Sequence, residues 1–305
     1  MSINSPKTAR PVTSETLRLA LGIKSEGKNF TGVGDIHSKH SNNLLSFIKD
    51  DQYINQVNAN NSISGIFCKT STATKLRPDI QTLVVEDPNW SFFTLIDYLS
   101  KTRIFEESSF ESCLGTALVS VASVGVYIGR NVRLEDFAIV KPGTIIHDRV
   151  LIRSGAVLGL DTFQHQYTSL GMVSPAHDGD LIVDEDVEIG AQCTISKGFS
   201  YRSTKIGRSS KLDAGVYVGH GAEIGSETII CTGAKIMGHC KIEDGAFIGP
   251  GAIVSSRITV GRNARVSLGA VVTRDVPPGE TVSGNFAIPH GEFIAKLKRG
   301  SQGDN

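Results

Sequence analysis

An aliphatic residue recurs at every sixth position between residues 206 and 272. Twelve such positions follow one another without a slip: Ile206, Leu212, Val218, Ile224, Ile230, Ile236, Ile242, Ile248, Val254, Val260, Val266 and Val272. Four residues after each stands a second residue that is mostly small or β-branched. A period of six fits neither an α-helix, with about 3.6 residues per turn, nor the two-residue alternation of a half-buried strand. It predicts short strands separated by corners, each strand pointing one side chain into a narrow core.

Hexapeptide repeats are typical of the parallel β-helix, a fold whose units bury their apolar faces only against stacked neighbours. Three hexads would close one triangular coil. Residues eighteen positions apart would then lie directly above one another, at the distance between neighbouring strands of about 4.8 Å. The sequence therefore predicts a mainly β protein built around a prism of stacked coils.

The repeat extends toward the N-terminus in a less regular form. Loose hexads begin near Thr116 and Ala122, and regular ones follow at Ile128, Leu134, Val140, Ile146, Ile152 and Leu158. The pattern breaks over residues 160–181 and skips five residues around 200–204. We interpret both interruptions as loops at corners. Seven to eight coils are expected, ending at Pro277-Pro278-Gly279.

The first hundred residues alternate between helical and β-type segments. Thr13–Ile23 predicts a short helix that Thr13 or Ser14 would cap, and Ser64–Cys68 and Gln81–Val85 read as strands. Asp87-Pro88-Asn89 is a helix-start signal, with amphipathic spacing to about Ile104. We expect a small α/β domain over residues 1–110, the β-helix domain over 111–282 with an insertion at 160–181, and a short tail or helix over 283–305.

Composition excludes several functional classes. Lysine plus arginine equals aspartate plus glutamate at 31 each, so no net field would attract nucleic acid or an anionic membrane. No apolar stretch reaches the roughly 18 residues of a membrane span, and residues 1–10 lack the apolar segment of a secretory signal. Five scattered cysteines contain no CxxC pair, and Cys193 and Cys240 occupy small-residue positions of hexads. We expect them to be reduced core residues of a cytoplasmic protein.

Two histidines fall on adjacent coils of the predicted prism. Gly238 is eighteen residues after His220 and therefore lies above it, with His239 beside that glycine. Acyl transfer to an amine needs a base, which histidine supplies near neutral pH, and an oxyanion donor, which a glycine N–H supplies. The arrangement favours His220 as general base and Gly238 as oxyanion donor. The alternative is that both histidines are solvated corner residues.

At this point the sequence resembles a known family. Residues 187–198 (VEIGAQCTISKG) are similar to the VEIGA-x-x-TI-x-x-G stretch of UDP-3-O-acylglucosamine N-acyltransferases of the lipid A pathway, hexapeptide-repeat enzymes with left-handed coils. Asp213 and His220 keep that family's seven-residue spacing, although Ala214 replaces its asparagine. The resemblance implies His220 as catalytic base and Gly238 as oxyanion-hole glycine. It also implies that His239 and Asp213 orient the sugar or its phosphates.

The N-terminal region resembles the same family. Leu45-Ser46-Phe47-Ile48 followed by Tyr53 is similar to its LSFL-x(4)-Y motif, and Val84-Val85 leading to Phe92 is similar to its VVxxP-x(3)-F segment. The resemblance implies that Phe47 and Tyr53 hold the uracil ring, which stacking on aromatic side chains makes physically sensible. The alternative is that both residues pack in the core of an amphipathic segment.

The C-terminal region departs from that family. The long helices with which the lipid A enzyme engages acyl carrier protein are not expected here. Instead, residues 268–279 (LGAVVTRDVPPG) and 284–287 (GNFA) resemble the ending of coenzyme A-dependent sugar acetyltransferases. That resemblance implies donor-phosphate contacts from Arg274, Lys296, Lys298 and Arg299. The alternative is an ordinary solvated tail.

The sequence thus predicts an N-acyltransferase. Its expected reaction moves a short acyl group, such as acetyl, from coenzyme A to a nucleotide-linked amino sugar of surface polysaccharide biosynthesis. The resemblance also implies a homotrimer with sites between neighbouring prisms. One alternative is the acyl carrier protein-dependent lipid A reaction, and another is a non-catalytic sugar-nucleotide binder. A zinc site of the γ-carbonic anhydrase type needs three convergent histidines, and no third is close in sequence to His220 and His239, so no metal is expected.

Overall fold

Short parallel strands make up most of the computed structural model, which describes residues 10–25, 27–39, 41–111, 113–115, 118–199, 202–284, 289–292 and 294. The N-terminal region is a four-stranded parallel sheet, ordered β1-β2-β3-β4, with helices around it. Its elements are α1 (Ser14–Leu21), β1 (Gly32–Val33), β2 (Leu44–Phe47), a 3₁₀ turn (Asp51–Tyr53), α2 (Ile54–Ala59), β3 (Ile63–Cys68), α3 (Thr70–Ala73), β4 (Gln81–Val84) and α4 (Pro88–Lys101). The expected small α/β region is confirmed.

Capping side chains set the starts of the two predicted helices. Thr13 caps α1 through a reciprocal pair of hydrogen bonds with Thr16. Asp87 accepts a hydrogen bond from Trp90 N at the start of α4, where a proline fills the first helical position. The α4 helix ends at Lys101, three residues before the predicted end. Two residues after the helix, Arg103 donates to Asp178 O.

The remaining strands form the prism and one hairpin. In chain order they are β5 (Ser109–Phe110), β6 (Cys113–Gly115), β7 (Ser120–Val121), β8 (Val126–Ile128), β9 (Val132–Leu134), β10 (Ile139–Val140), β11 (Thr144–Ile146), β12 (Leu151–Ile152), β13 (Val157–Leu160), β14 (Gln166–Thr168), β15 (Gly171–Val173), β16 (Leu181–Val183), β17 (Glu188–Ile189), β18 (Thr194–Ser196), β19 (Thr204–Ile206), β20 (Lys211–Leu212), β21 (Tyr217–Val218), β22 (Glu223–Ile224), β23 (Ile229–Ile230), β24 (Lys235–Ile236), β25 (Lys241–Ile242), β26 (Phe247–Ile248), β27 (Ile253–Val254), β28 (Thr259–Val260), β29 (Arg265–Val266), β30 (Val271–Val272) and β31 (Thr281–Val282).

The prism has three walls, which are parallel sheets of eight, eight and nine strands. Strand β21 pairs with β24, and β24 pairs with β27, so each strand meets the third one along the chain. Tyr217, Lys235 and Ile253 are Cα partners in succession, eighteen residues apart. The predicted parallel β-helix of three-hexad coils is therefore confirmed.

The repeated aliphatic residues fill the interior of the prism. All twelve positions of the hexad series are buried, as are eleven of the twelve second positions. Ile258 is the exception and is only partly buried against the core. Cys193 and Cys240 are buried and unpaired, as predicted, and burial raises the pKa of the Cys193 thiol to about 11. Each wall thus contributes a column of aliphatic side chains and a column of mostly small side chains to the core.

Both interruptions of the repeat are extra chain at corners. Val157 pairs with Thr194 across the longer one, which carries the antiparallel hairpin β14–β15. Thr194 then pairs with Tyr217, twenty-three positions on, so the shorter interruption adds the expected five residues to the usual eighteen. The turn at Pro277-Pro278-Gly279 does not end the coils as expected, although the last strand lies within the predicted domain 111–282. After the turn at Pro277-Pro278-Gly279, β31 pairs with β29.

The hairpin and the prism both contact the N-terminal region. Asn89 Nδ2 donates to Tyr167 O at 2.9 Å, and Ser169 N donates to Asp87 Oδ2 at 2.6 Å. On the prism, Arg257 pairs with Asp35, which follows β1, at 3.1 Å. Three parts of the chain therefore meet at one place. Within the described ranges, no helix has both the length and the apolar character needed to cross a membrane.

Candidate active site

One corner of the prism carries the predicted catalytic residues. The corner after β21 consists of His220 and Gly221, and the corner one coil above, after β24, consists of Gly238 and His239. The second residue of each corner has a left-handed backbone: φ is +64° at Gly221, +62° at His239 and +68° at Arg257 on the next coil. Because equivalent corners stack, Gly221, His239 and Arg257 form one column of corner residues.

The structure brings His220, Gly238 and His239 together. His239 N donates to His220 O at 2.9 Å, and the two imidazole rings meet edge to face with centroids 4.9 Å apart. A Cβ atom on Gly238 would lie 3.0 Å from His220 Nε2, so a larger residue at this corner would crowd that nitrogen. The Gly238 amide donates to no protein acceptor in the described part of the chain. It is thus a donor without a partner beside the imidazole.

The insertion supplies two further polar residues, Thr162 and His177. Thr162 Oγ1 lies 3.1 Å from His220 Nδ1 and 3.2 Å from His177 Nε2, and so bridges the two rings. His177 is only 1% exposed and stacks on Phe199, with centroids 4.3 Å apart. No role was predicted from the sequence for either side chain. The site is a cluster of three histidines, not two.

Burial keeps the three histidines neutral at pH 7. It lowers the pKa of His220 to about 4, with a further contribution from the Arg257 charge. It also lowers the pKa of His177 to about 4. The pKa of His239 falls to about 3, first through burial and then through the His220, Arg202 and Arg257 charges, while Asp35 opposes the shift. A neutral imidazole can accept a proton, which a general base must do.

A cavity of about 490 Å³ lies between the N-terminal sheet, the hairpin and the prism. Phe47 and Tyr53 both line it, so the structure brings the two predicted base-binding aromatics together. Phe47 also stacks on Phe92, with centroids 4.5 Å apart, and therefore contributes to the core as well. The other lining residues are Asp35, Ile36, His37, Ile48, Lys49, Asn89, His165, Gln166, Tyr167 and Arg257.

Asp213 does not join this cluster within one chain. It follows β20, a strand of another wall, and lies at a different corner from His220. Its carboxylate accepts hydrogen bonds from Ala214 N at 2.7 Å and Thr232 N at 3.2 Å, which holds the turns of two successive coils. A sugar-binding role for Asp213 stays a prediction.

The predicted donor-binding residues are only partly described. Arg274 follows β30 and is exposed at the C-terminal end of the prism. Lys296, Lys298 and Arg299 lie outside the described residues. Their contact with coenzyme A therefore stays a prediction.

A third histidine lies in the site although none is close to His220 and His239 in sequence. His177 is far from His220 in sequence, but their ring centroids lie 5.3 Å apart. The insertion returns to the prism at this corner, which sequence spacing does not reveal. Among the described residues, no group of three or more His, Cys, Asp or Glu side chains is arranged to hold a metal ion.

Arg257 and Asp35 are further site residues that were not predicted. Arg257 is eighteen residues after His239, so the rule that placed Gly238 above His220 also places Arg257 above His239. Asp35 belongs to the N-terminal sheet and has no such periodic signal. Its carboxylate is buried, yet the Arg257 charge and hydrogen bonds from Ser38 and the His37 amide outweigh burial and lower its pKa.

Comparison with known proteins supports this description. The family model "Bacterial transferase hexapeptide (six repeats)" matches residues 125–159 and 203–238. The model "Hexapeptide repeat of succinyl-transferase" matches residues 181–220 and 240–274. These matches fall on the prism and leave out residues 160–180, which carry the hairpin.

Two curated relatives are both named UDP-3-O-acylglucosamine N-acyltransferase. The protein from Methylorubrum populi is 34% identical over 48% of this chain, and the match covers only 41% of that protein. The protein from Helicobacter hepaticus is 24% identical, over 84% of this chain and 85% of its own length. The first relatives are thus matched over less than half of their length.

Solved structures show the same fold. The UDP-N-acetylglucosamine acyltransferase from Campylobacter jejuni matches 65% of this chain and 80% of its own, with a TM-score of 0.54 and 19% identity. This likeness confirms the expected left-handed coils. The hexad repeats and the relatives make the chain similar to the hexapeptide-repeat acyltransferases, and the likeness to the solved structure shows the shared fold.

Proposed function

We propose that the protein transfers an acyl group to the amine of a nucleotide-linked amino sugar, with His220 as the general base. The observation that carries the proposal is the pairing of a neutral His220 Nε2 with the partnerless Gly238 amide. Arg257 links this pair to the cavity. It lines the cavity, and its charge acts on the pKa of His220.

The chemistry needs one base and one oxyanion donor. The sugar amine attacks the carbonyl carbon of an acyl thioester, and His220 Nε2 takes the proton that nitrogen loses. The Gly238 N–H would stabilise the negative charge on the carbonyl oxygen. Collapse of the tetrahedral intermediate breaks the carbon–sulfur bond and forms the amide. The imidazolium of His220 returns its proton to the leaving thiolate, which restores the neutral base.

The cavity fits the nucleotide part of such a substrate. Phe47 and Tyr53 would hold the base by aromatic contact. The cationic side chains of Lys49 and Arg257 line the same cavity and would meet the diphosphate. His239 lies beside His220 and would contact the sugar.

The name of one relative supports a choice between the possible acceptor substrates. The Helicobacter hepaticus protein, matched over most of its length, is named for UDP-3-O-acylglucosamine. This favours an acceptor of the lipid A type over the amino sugars of surface polysaccharides, and it is the acceptor we propose. The acyl donor is a thioester of coenzyme A or of an acyl carrier protein, and thiol release with each donor distinguishes the two. The homotrimer with sites between prisms stays a prediction from the family resemblance.

The test is thiol release in the presence of each acceptor and donor. UDP-3-O-acylglucosamine and UDP- and dTDP-amino sugars are paired in turn with acetyl-coenzyme A, longer acyl-coenzyme A thioesters and hydroxyacyl carrier protein. We expect turnover with one pair, and a loss of about 10²- to 10⁴-fold in kcat for His220→Ala because the base is gone.

The matched control is His147→Ala, another prism histidine, which follows β11 on a different wall. It should retain native turnover. Full activity in His220→Ala would refute the base assignment. Tight binding of the nucleotide sugar with no turnover for any pair would instead make the protein a non-catalytic binder.

A further inference from the structure

We propose that Thr162 and His177 are positioning residues that hold His220 in the tautomer able to accept a proton. The inference rests on the proposed role of His220 and adds the means by which that role is set. Thr162 precedes β14 and His177 follows β15, so the two residues face each other across the neck of the insertion hairpin. The Thr162 hydroxyl joins them to His220.

The tautomer follows from which nitrogen faces which group. A neutral imidazole has one N–H and one bare nitrogen. His220 Nε2 faces Gly238, and Nδ1 faces Thr162 Oγ1 at 3.1 Å. For Nε2 to take a proton, the hydrogen must be on Nδ1, which then donates to the Thr162 oxygen. The Thr162 hydroxyl in turn donates its own hydrogen to His177 Nε2 at 3.2 Å.

The reverse arrangement of hydrogens would leave His220 unable to act as a base. If Thr162 donated to His220 Nδ1, the hydrogen of His220 would be on Nε2, which could accept nothing. In the productive direction the hydrogen of His177 is on Nδ1, which leaves its Nε2 bare to accept from the Thr162 hydroxyl. Within the described part of the chain, no carboxylate hydrogen-bonds to His220, so the hydroxyl and the second imidazole take the place that an orienting acid would fill.

The surroundings fix His177 in this role. Its ring stacks on Phe199 at an interplanar angle of 23°. The backbone after it is held by Arg103 from the end of α4, which donates to Asp178 O and to Asp180 Oδ1, each at 2.6 Å. A ring held on its face and along its backbone keeps Nε2 aimed at Thr162.

Thr162→Val tests the proposal because valine keeps the side-chain shape and lacks the hydroxyl. The side-chain ¹⁵N shifts of His220 near neutral pH report its tautomer directly. We expect the Nδ1–H form in the native protein and a gain of the Nε2–H form in Thr162→Val. We also expect kcat to fall about tenfold to hundredfold, as for other partners that orient a functional histidine, with little change in KM for the nucleotide sugar.

Thr162→Ser is the matched control, since it restores the hydroxyl, and it should return both the tautomer and kcat. Should the valine variant fail to fold, His177→Phe carries the same test, because it keeps a ring against Phe199 and removes the acceptor. An unchanged His220 tautomer with native kcat in these variants overturns the inference. If His220→Ala is inactive at the same time, the proposed base stands and only the positioning role falls.

Discussion

His220 is in contact with two other largely buried, neutral histidine rings, and protonation of any of the three would be unfavourable in the folded protein. The centroid of His220 lies 4.9 Å from that of His239 and 5.3 Å from that of His177. Each ring is largely removed from water, and two protonated rings at this distance would repel each other. The corner can therefore supply a base only while it stays uncharged.

The burial of these three histidines predicts that the folded protein loses stability in mild acid. Unfolded histidines titrate near 6.5, whereas folding lowers the pKa of His220 and His177 to about 4 and that of His239 to about 3. Between these limits the unfolded chain binds more protons, so stability is full above about pH 6.5 and falls as the pH is lowered toward 4. Each histidine adds a slope of at most about 1.4 kcal/mol per pH unit.

Urea unfolding at several pH values between 7 and 5 would measure this slope. His239→Asn is the informative variant, because asparagine tolerates the positive φ of that corner and does not titrate. The variant should show a shallower loss than the native protein. Identical pH dependence in the two proteins would contradict the prediction.

At the residue scale, sequence reasoning worked wherever the period applied. His220, Gly238 and His239 could be placed together because eighteen residues is one coil, and Arg257 was within reach of the same rule. Thr162 and His177 were not, because the insertion that carries them has no period. Their meeting depends on where a loop folds back, which is a tertiary event.

At the scale of elements, the hairpin β14–β15 connects the two halves of the site. Its strands line the cavity through Gln166 and Tyr167, while its neck holds His220. Its tip is held by Asp87. One oxygen of that carboxylate caps α4 at 2.9 Å, and the other accepts from Ser169 N at 2.6 Å. The sequence indicated the cap through the Asp-Pro-Asn signal, but the hairpin contact has no local signature.

Asp87→Ser separates these two functions of one carboxylate. Serine is a good N-cap, so α4 should keep its stability within about 0.5 kcal/mol, but its single oxygen cannot also hold the hairpin. We expect faster amide hydrogen exchange over residues 166–173 than in the native protein. Asp50→Ser is the control, since Asp50 is exposed and makes no capping hydrogen bond. Unchanged exchange in the hairpin of Asp87→Ser would mean that other contacts hold it.

At the scale of the whole molecule, the two architectures differ in how far the sequence predicts them. The prism repeats one local rule, so each hexad carries the evidence for its own wall and core position. The docking of the N-terminal sheet onto the prism uses individual contacts, namely Phe199, which packs in the N-terminal core, and pairs such as Asp35 with Arg257, 3.1 Å apart. No repetition reinforces such a pair in the sequence. Yet this pair lies in the cavity wall, where the two architectures form one site.

Arg257→Gln should therefore alter binding and proton transfer together. Losing a charged contact to phosphate should raise KM for the nucleotide sugar about tenfold or more. His177, His239 and Arg257 lie around His220. Burial is the main reason for the low pKa of His220, and the permanent positive charge of Arg257 lowers that pKa further. Without that charge the pKa of His220 rises, and the base becomes protonated at a higher pH.

The acid limb of kcat/KM distinguishes this electrostatic role from a structural one. In the native protein, the limb should lie near the pKa of free His220, about 4, and in Arg257→Gln it should move to higher pH. Arg262→Gln is the control, because Arg262 is a prism arginine that pairs with Asp244 at 3.3 Å and lies outside the cavity lining. A variant whose KM rises while its limb stays in place would show that Arg257 binds substrate without acting on the base. A shift of the limb together with a higher KM would show that Arg257 both binds the substrate in the cavity and acts on the base at the prism corner.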